Sequence, residues 1–125
     1  MKPSIALSHM DQATQFRLEL KHAIAIGPGK ANVLEWIEQT GSIAEAGRCL
    51  GMSYQKVWSL VRAMNQHFIE PLVKTQRGGA AGGGTTLTPT GKQVLKLYRA
   101  IERDAQHAIA KRLPELVRLI QPDVE

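Results

Sequence analysis

The sequence predicts a mainly α-helical fold with a small β-sheet, and three observations carry that expectation. Between Lys30 and His67, apolar residues recur at helical spacing in segments punctuated by glycine and serine. Two short β-prone stretches then flank a glycine- and alanine-rich run from Gly78 to Gly84. From Thr88-Pro89 onward, one long helical pattern occupies most of what remains. At 125 residues and 13.8 kDa the chain is the size of one domain, large enough to bury a core.

Residues 1–15 show no period and read as a leader. From Phe16 to Ile26 the chain reads as a strand: Phe16, Leu18 and Leu20 alternate with Arg17, Glu19 and Lys21, the period of a half-buried strand. Gly27-Pro28-Gly29 ends it, because proline removes a ladder donor. A helix follows over Lys30–Thr40, with Val33, Leu34, Trp36 and Ile37 at helical spacings and Gly41 closing it. Ser42 and Glu45 then form a capping box that opens a short helix, Ile43–Leu50. Its small residues Ala44, Ala46 and Gly47 allow a second helix to cross closely, and Cys49 within it is expected to be a small buried hydrophobe.

Ser53 caps a third helix, Tyr54 to about His67. Val57, Leu60, Val61 and Met64 fall at i, i+3, i+4 and i+7 and mark its core face. Tyr54, Gln55, Lys56, Ser59 and Arg62 lie opposite, with Trp58 at the margin. After Glu70-Pro71, Leu72–Gln76 and Thr85–Leu87 read as a hairpin joined by the glycine-rich loop. Thr88 as N-cap and Pro89 at the first position open the last helix. Its apolar stripe runs through Val94, Leu95, Leu97, Tyr98, Ile101, Ala105, Ala108 and Ile109, and Pro114 is expected to interrupt it after Leu113. Such a helix is about 37 Å long at roughly 1.5 Å per residue and outreaches a domain of this size. Tyr98, Ile101, Ala105, Ala108 and Ile109 are therefore expected to face a second chain in a homodimer. Leu116, Val117 and Ile120 read as one more short helical piece. The expected organisation is a leader over 1–15, a body over 16–113 that includes the long helix, and a tail over 114–125.

Composition narrows the function. The 43% hydrophobic and 22% charged fractions are those of a globular chain. With Cys49 alone, no intramolecular disulfide can form. No apolar run approaches the roughly 20 residues of a membrane helix, and Ile5-Ala6-Leu7 is too short for a signal-peptide core. The expected location is the cytoplasm. The net charge of +5 is unevenly spread. Residues 1–52 are neutral, whereas residues 53–77 hold Lys56, Arg62, Lys74 and Arg77 against Glu70 alone. A compact basic segment suits a partner with a phosphate backbone.

Two helices joined by a tight turn, the first full of small residues and the second presenting polar and basic side chains, form a helix-turn-helix. The helix over 43–50 braces the next, whose Ser53, Tyr54, Gln55, Lys56, Trp58, Ser59 and Arg62 can enter a major groove. Lys56 and Arg62 can donate to phosphates or guanine edges, and Gln55 can pair with adenine. The hairpin then serves as a wing. Lys74 and Arg77 sit at its base, and Gly78, Gly79, Gly82, Gly83 and Gly84 allow close approach to a sugar-phosphate backbone. Strand, three helices, two-stranded wing and long helix make a winged helix-turn-helix.

The residues also carry a resemblance. Gly41-Ser42-Ile43 through Cys49, the stretch from Gly51-Met52-Ser53-Tyr54 to Trp58, Met64-Asn65-Gln66, Leu72-Val73, Gly82-Gly83-Gly84 and Leu87-Thr88 with Thr90-Gly91 resemble the N-terminal DNA-binding domain of ModE-type molybdate-responsive regulators. The pattern Leu87-Thr88-Pro89-Thr90-Gly91 is similar to LysR-type regulator heads as well. The resemblance covers roughly residues 16–110 and implies a dimer on palindromic promoter DNA, with the third helix in the major groove. Members of the ModE group carry molybdate-binding modules after this domain, whereas this sequence ends at Glu125. No oxyanion site transfers, and direct molybdate binding is not expected.

Other chemistry finds no support. The positions around Gly29-Lys30 and Gly91-Lys92 do not complete a phosphate-binding loop. His9, His22, His67 and His107 are scattered without ligand spacing, so neither a metal nor a cofactor is expected. No catalytic motif appears, and enzyme activity is not expected. The sequence thus reads as a dimeric, sequence-specific DNA-binding transcriptional regulator acting on double-stranded DNA. The alternatives are a winged-helix protein-interaction module, such as a mixed-dimer partner of a full-length regulator, and a nucleoid binder without sequence preference.

Overall fold

The structure is a computed structural model that describes residues 17–19, 25–76 and 84–122. Its elements in order are β1 (Leu18–Glu19), β2 (Ala25–Ile26), α1 (Pro28–Thr40), α2 (Ile43–Leu50), α3 (Tyr54–His67), β3 (Val73–Gln76), β4 (Gly84–Leu87) and α4 (Pro89–Val117). They fall into two units, one spanning Arg17–Arg99 and the other holding the chain from Ala100 onward.

In the first unit, the single strand expected over Phe16–Ile26 is instead two short strands. Leu18 pairs antiparallel with Ile26 and Glu19 with Ala25. A lone strand would leave its backbone donors and acceptors without partners, and pairing its two ends satisfies them. Helix α1 begins at Pro28, two residues before the expected start. Proline at the first helical position lacks only an N–H that would be unbonded anyway. The helix buries Ala31, Val33, Leu34 and Ile37 and ends at Gly41, whose φ of +71° is left-handed and whose N–H donates to the Ile37 carbonyl at 2.8 Å.

Ser42 accepts the Glu45 N–H at 3.1 Å and opens α2. The reciprocal half of the capping box is not made: the Ser42 N–H donates to the Thr40 hydroxyl, and the Glu45 carboxylate accepts from Arg48 one turn on. Ile43, Ala46 and Gly47 are buried. A Cβ on Gly47 would lie 2.8 Å from the Met52 carbonyl oxygen and 3.3 Å from Val57, so only glycine lets α2 and α3 cross at this separation. Cys49 corrects an expectation: it is exposed, because the buried face of this short helix is set by Ile43, Ala46 and Gly47. Ser53 accepts the Lys56 N–H at 3.0 Å, and α3 buries Val57, Val61 and Met64, with Leu60 half-buried. These three side chains join Val33, Leu34, Ile37 and Leu72 in a fully enclosed core.

The wing strands pair antiparallel from Val73 opposite Leu87 to Gln76 opposite Gly84. Asn65 holds the wing to α3: its Oδ1 accepts the N–H groups of Leu72 and Val73, and its Nδ2 donates to the Val73 carbonyl. The Thr88 hydroxyl donates to the Pro71 carbonyl at 2.7 Å and accepts the Gly91 N–H at 2.9 Å, capping α4 while fixing its start. Farther along the same unit, Arg99 donates from Nε and Nη2 to Glu35 and from Nη2 to Asn32, so α1 and α4 are joined by a charged contact.

In the second unit, helix α4 continues through Pro114 to Val117, where a break after Leu113 had been expected. Proline at 114 withholds one backbone donor, and only the last turn of the helix lies beyond it. The Pro114 carbonyl accepts the Arg118 N–H, so the turn is completed. Ala108, Ile109, Arg112, Leu113 and Leu116 line a shallow apolar cleft of about 360 Å³. Leu116, Leu119 and Ile120 are exposed large apolar side chains of this unit.

Candidate nucleic-acid interface

Helix α3 presents three strips, and its own periodicity sets them. At about 100° per residue, Gln55, Ser59 and Arg62 share the side away from Val57, Val61 and Met64, and all three are exposed. Tyr54 and Trp58 form one border of that strip, and Lys56 and Leu60 the other. Tyr54 is 53% exposed and Trp58 half-buried, so the indole joins the wall of a cleft while the phenol reaches out.

The border with Tyr54 and Trp58 faces the wing. Together with Ser42, Ala44, Thr75, Gln76 and Gly84, these two aromatics line an open cleft of about 460 Å³. The Gly41 carbonyl accepts the Thr85 N–H at 3.0 Å, which ties the turn before α2 to β4 and sets that cleft's width. The border with Lys56 and Leu60 faces the start of α1, across a second cleft of about 280 Å³ that also takes in Arg17 and Lys30.

Of the residues the sequence nominated, Ser53, Tyr54, Gln55, Lys56, Ser59 and Arg62 are all exposed at or along α3. Lys74 is exposed on β3 and Gly84 on β4. Arg77, Gly78, Gly79, Gly82 and Gly83 lie outside the described residues. Thr75, Gln76 and Ser42 were not nominated, because nothing local marks them; only the pairing of β3 with β4 brings the strands to α3. Arg17 and Lys30 were missed for the same reason. Among the proposed dimer residues, Ile101 and Ala108 are exposed, and Ala105 and Ile109 half-buried. Tyr98 corrects an expectation: it is 2% exposed and belongs to the core of its own chain, with Arg99 5.9 Å from its ring centroid. No group of three or more metal-ligating side chains occurs among the described residues. No helix among them is long and apolar enough to cross a membrane.

Residues 30–92, which run from the first turn of α1 through the wing to the first turn of α4, match the family of bacterial regulatory helix-turn-helix proteins of the lysR type. The chain belongs to this lysR family.

The chain is 37% identical over 91 residues to the transcriptional regulator ModE of Haemophilus influenzae, covering 73% of this chain and 36% of that protein. It is 35% identical over 101 residues to the molybdenum transport protein ModE of Azotobacter vinelandii, covering 81% of this chain and 37% of that one. It is 43% identical over 77 residues to the molybdenum-pterin-binding protein MopB of Rhodobacter capsulatus, covering 62% and 28% respectively. The chain thus spans about a third of the length of these relatives. A crystal structure of a MarR family transcription regulator has the same fold, with a TM-score of 0.50 and 17% identity over 76% of each chain. The lysR head is therefore built here as a winged helix.

Proposed function

We propose that this chain is a DNA-binding transcriptional regulator of ModE-like type that reads duplex DNA with α3. One observation carries the proposal. The first three turns of α3 hold Gln55, Lys56, Ser59 and Arg62 outward on a helix whose other face is locked into the core by Val57, Val61 and Met64. A rigid helix presenting an amide, a hydroxyl and two cations, with no acid in its first turn, suits a major groove. Lys74 and Arg77 grip the flanking backbone from the wing, with the glycines of its loop. Two copies associate through Ile101, Ala105, Ala108 and Ile109, so the preferred site is an inverted repeat with half-sites about one helical turn apart, or a small multiple of it. The chain acts in the cytoplasm and catalyses no reaction.

The test is a titration of a labelled mixed-sequence duplex at several salt concentrations, read by fluorescence anisotropy. The expected result is measurable affinity whose logarithm falls linearly with the logarithm of salt, at about 0.9 per phosphate neutralised. A chain with no duplex affinity at low salt overturns the proposal in favour of a protein-interaction module.

A further inference from the structure

We infer that the second cleft, between the start of α1 and the Lys56–Leu60 border of α3, is a DNA phosphate clamp that flanks the recognition helix on the side opposite the wing. The inference rests on the proposal that α3 enters a DNA groove. It assigns to that complex a contact surface contributed by residues outside both the helix-turn-helix and the wing.

Three cations drawn from three parts of the chain, Arg17 before β1, Lys30 in α1 and Lys56 in α3, line a single cleft of about 280 Å³. Among the described residues that line it there is no carboxylate. Arg17 is held there by its stem: a Cβ on Gly27 would lie 3.2 Å from the Arg17 Cγ, so the aliphatic part packs on a backbone that has no side chain. Its guanidinium meets Glu19 only at 3.5 Å, with both side chains about two-thirds exposed, a pairing too weak to compete with a phosphate. Lys56 belongs at once to this cleft and to the exposed end of α3, so the basic surface is continuous with the strip of Gln55, Ser59 and Arg62.

A helix lying in a major groove has a phosphate backbone along each of its flanks. On the Tyr54–Trp58 flank the wing supplies Thr75 and Gln76, with Lys74 exposed on the same strand. On the Lys56–Leu60 flank this cleft is what the chain offers, and its charge is the sign a phosphate needs. Gly29 also lines the cleft, and nothing lies within 4 Å of a Cβ placed on it.

That open space gives a clean test. Gly29→Asp puts a carboxylate into the cleft, and an acid in the first turn of a helix favours the helix. Gly29→Ala fills the same space without charge. Duplex affinity is measured by anisotropy with the same labelled mixed-sequence duplex for both variants and the wild type, alongside their thermal unfolding. Gly29→Asp is expected to bind roughly tenfold more weakly than Gly29→Ala at near-physiological salt, with a salt slope smaller by about one, while its unfolding midpoint is equal or higher. The double variant Arg17→Gln with Lys30→Gln removes two cations and is expected to lose about two in the slope. If the wild type binds but all variants match it in affinity and slope, the clamp is wrong and the α3 reading stands. If the wild type itself has no duplex affinity, both fall.

Discussion

The side-chain oxygen of Asn65 accepts the backbone N–H of Leu72 at 2.8 Å, so one carboxamide near the end of α3 holds the start of the wing. The same oxygen takes the Val73 N–H at 3.1 Å, and the amide nitrogen returns a bond to the Val73 carbonyl at 3.1 Å. Leu72 is fully buried and Val73 nearly so, leaving their backbone groups no water to fall back on. Asn65→Ala is therefore expected to lower stability by about 2 kcal/mol, the cost of stranding buried amides. Urea unfolding followed by circular dichroism measures it.

Two glycines in helices are expected to respond to alanine with opposite signs. At Gly91 a Cβ would lie 2.9 Å from the carbonyl carbon of Leu72, and closer still to its oxygen, where α4 crosses the start of the wing. Gly91→Ala must push that backbone away, at a cost of about 1–3 kcal/mol. At Gly29 the space is empty and the residue is helical, so Gly29→Ala is expected to stabilise by about 0.5–1 kcal/mol. Paired unfolding curves decide both signs.

Ser53 has two separable duties. It caps α3 by accepting the Lys56 N–H, and it stands exposed at the end proposed to meet DNA. Ser53→Ala is expected to lose about 1 kcal/mol of stability. Ser53→Asp keeps a capping oxygen but adds a negative charge, so its unfolding midpoint should stay near wild type while duplex affinity falls. Equal affinity in Ser53→Asp would separate this end of the helix from the DNA.

Lys56→Ala and Arg62→Ala remove exposed cations that no core residue depends on. Each is expected to shift stability by less than about 0.5 kcal/mol. Each should also reduce the salt slope of duplex binding by about one if it meets a phosphate, and Arg62→Ala should relax base preference if it meets a guanine. Anisotropy at several salt concentrations distinguishes these outcomes.

The parts of the fold that the sequence made legible are those whose causes are local. Ser42 with Glu45, and Ser53 before Val57, Val61 and Met64, set the ends and the buried face of α2 and α3 through interactions within four residues. What escaped depends on partners distant in the chain. The alternation near Phe16 signals extended backbone but cannot say that Leu18 pairs with Ile26. Small size made Cys49 look like a core residue, whereas the three buried positions of its helix leave it outside. Tyr98 shares a stripe with Ile101, yet only Tyr98 lies on the part of α4 that joins the core. The exposed strip of α3 was legible from helical period alone. The cations Arg17 and Lys30 beside it were not, since only the folded chain brings them to Lys56.

In-vitro selection from a random duplex library at near-physiological salt tests the central claim most directly. The account expects an enriched inverted repeat, with the enrichment lost in Arg62→Ala or shifted at the base that Gln55 or Arg62 contacts. Binding without an enriched motif would contradict sequence-specific reading by α3 and leave a nucleoid binder without preference.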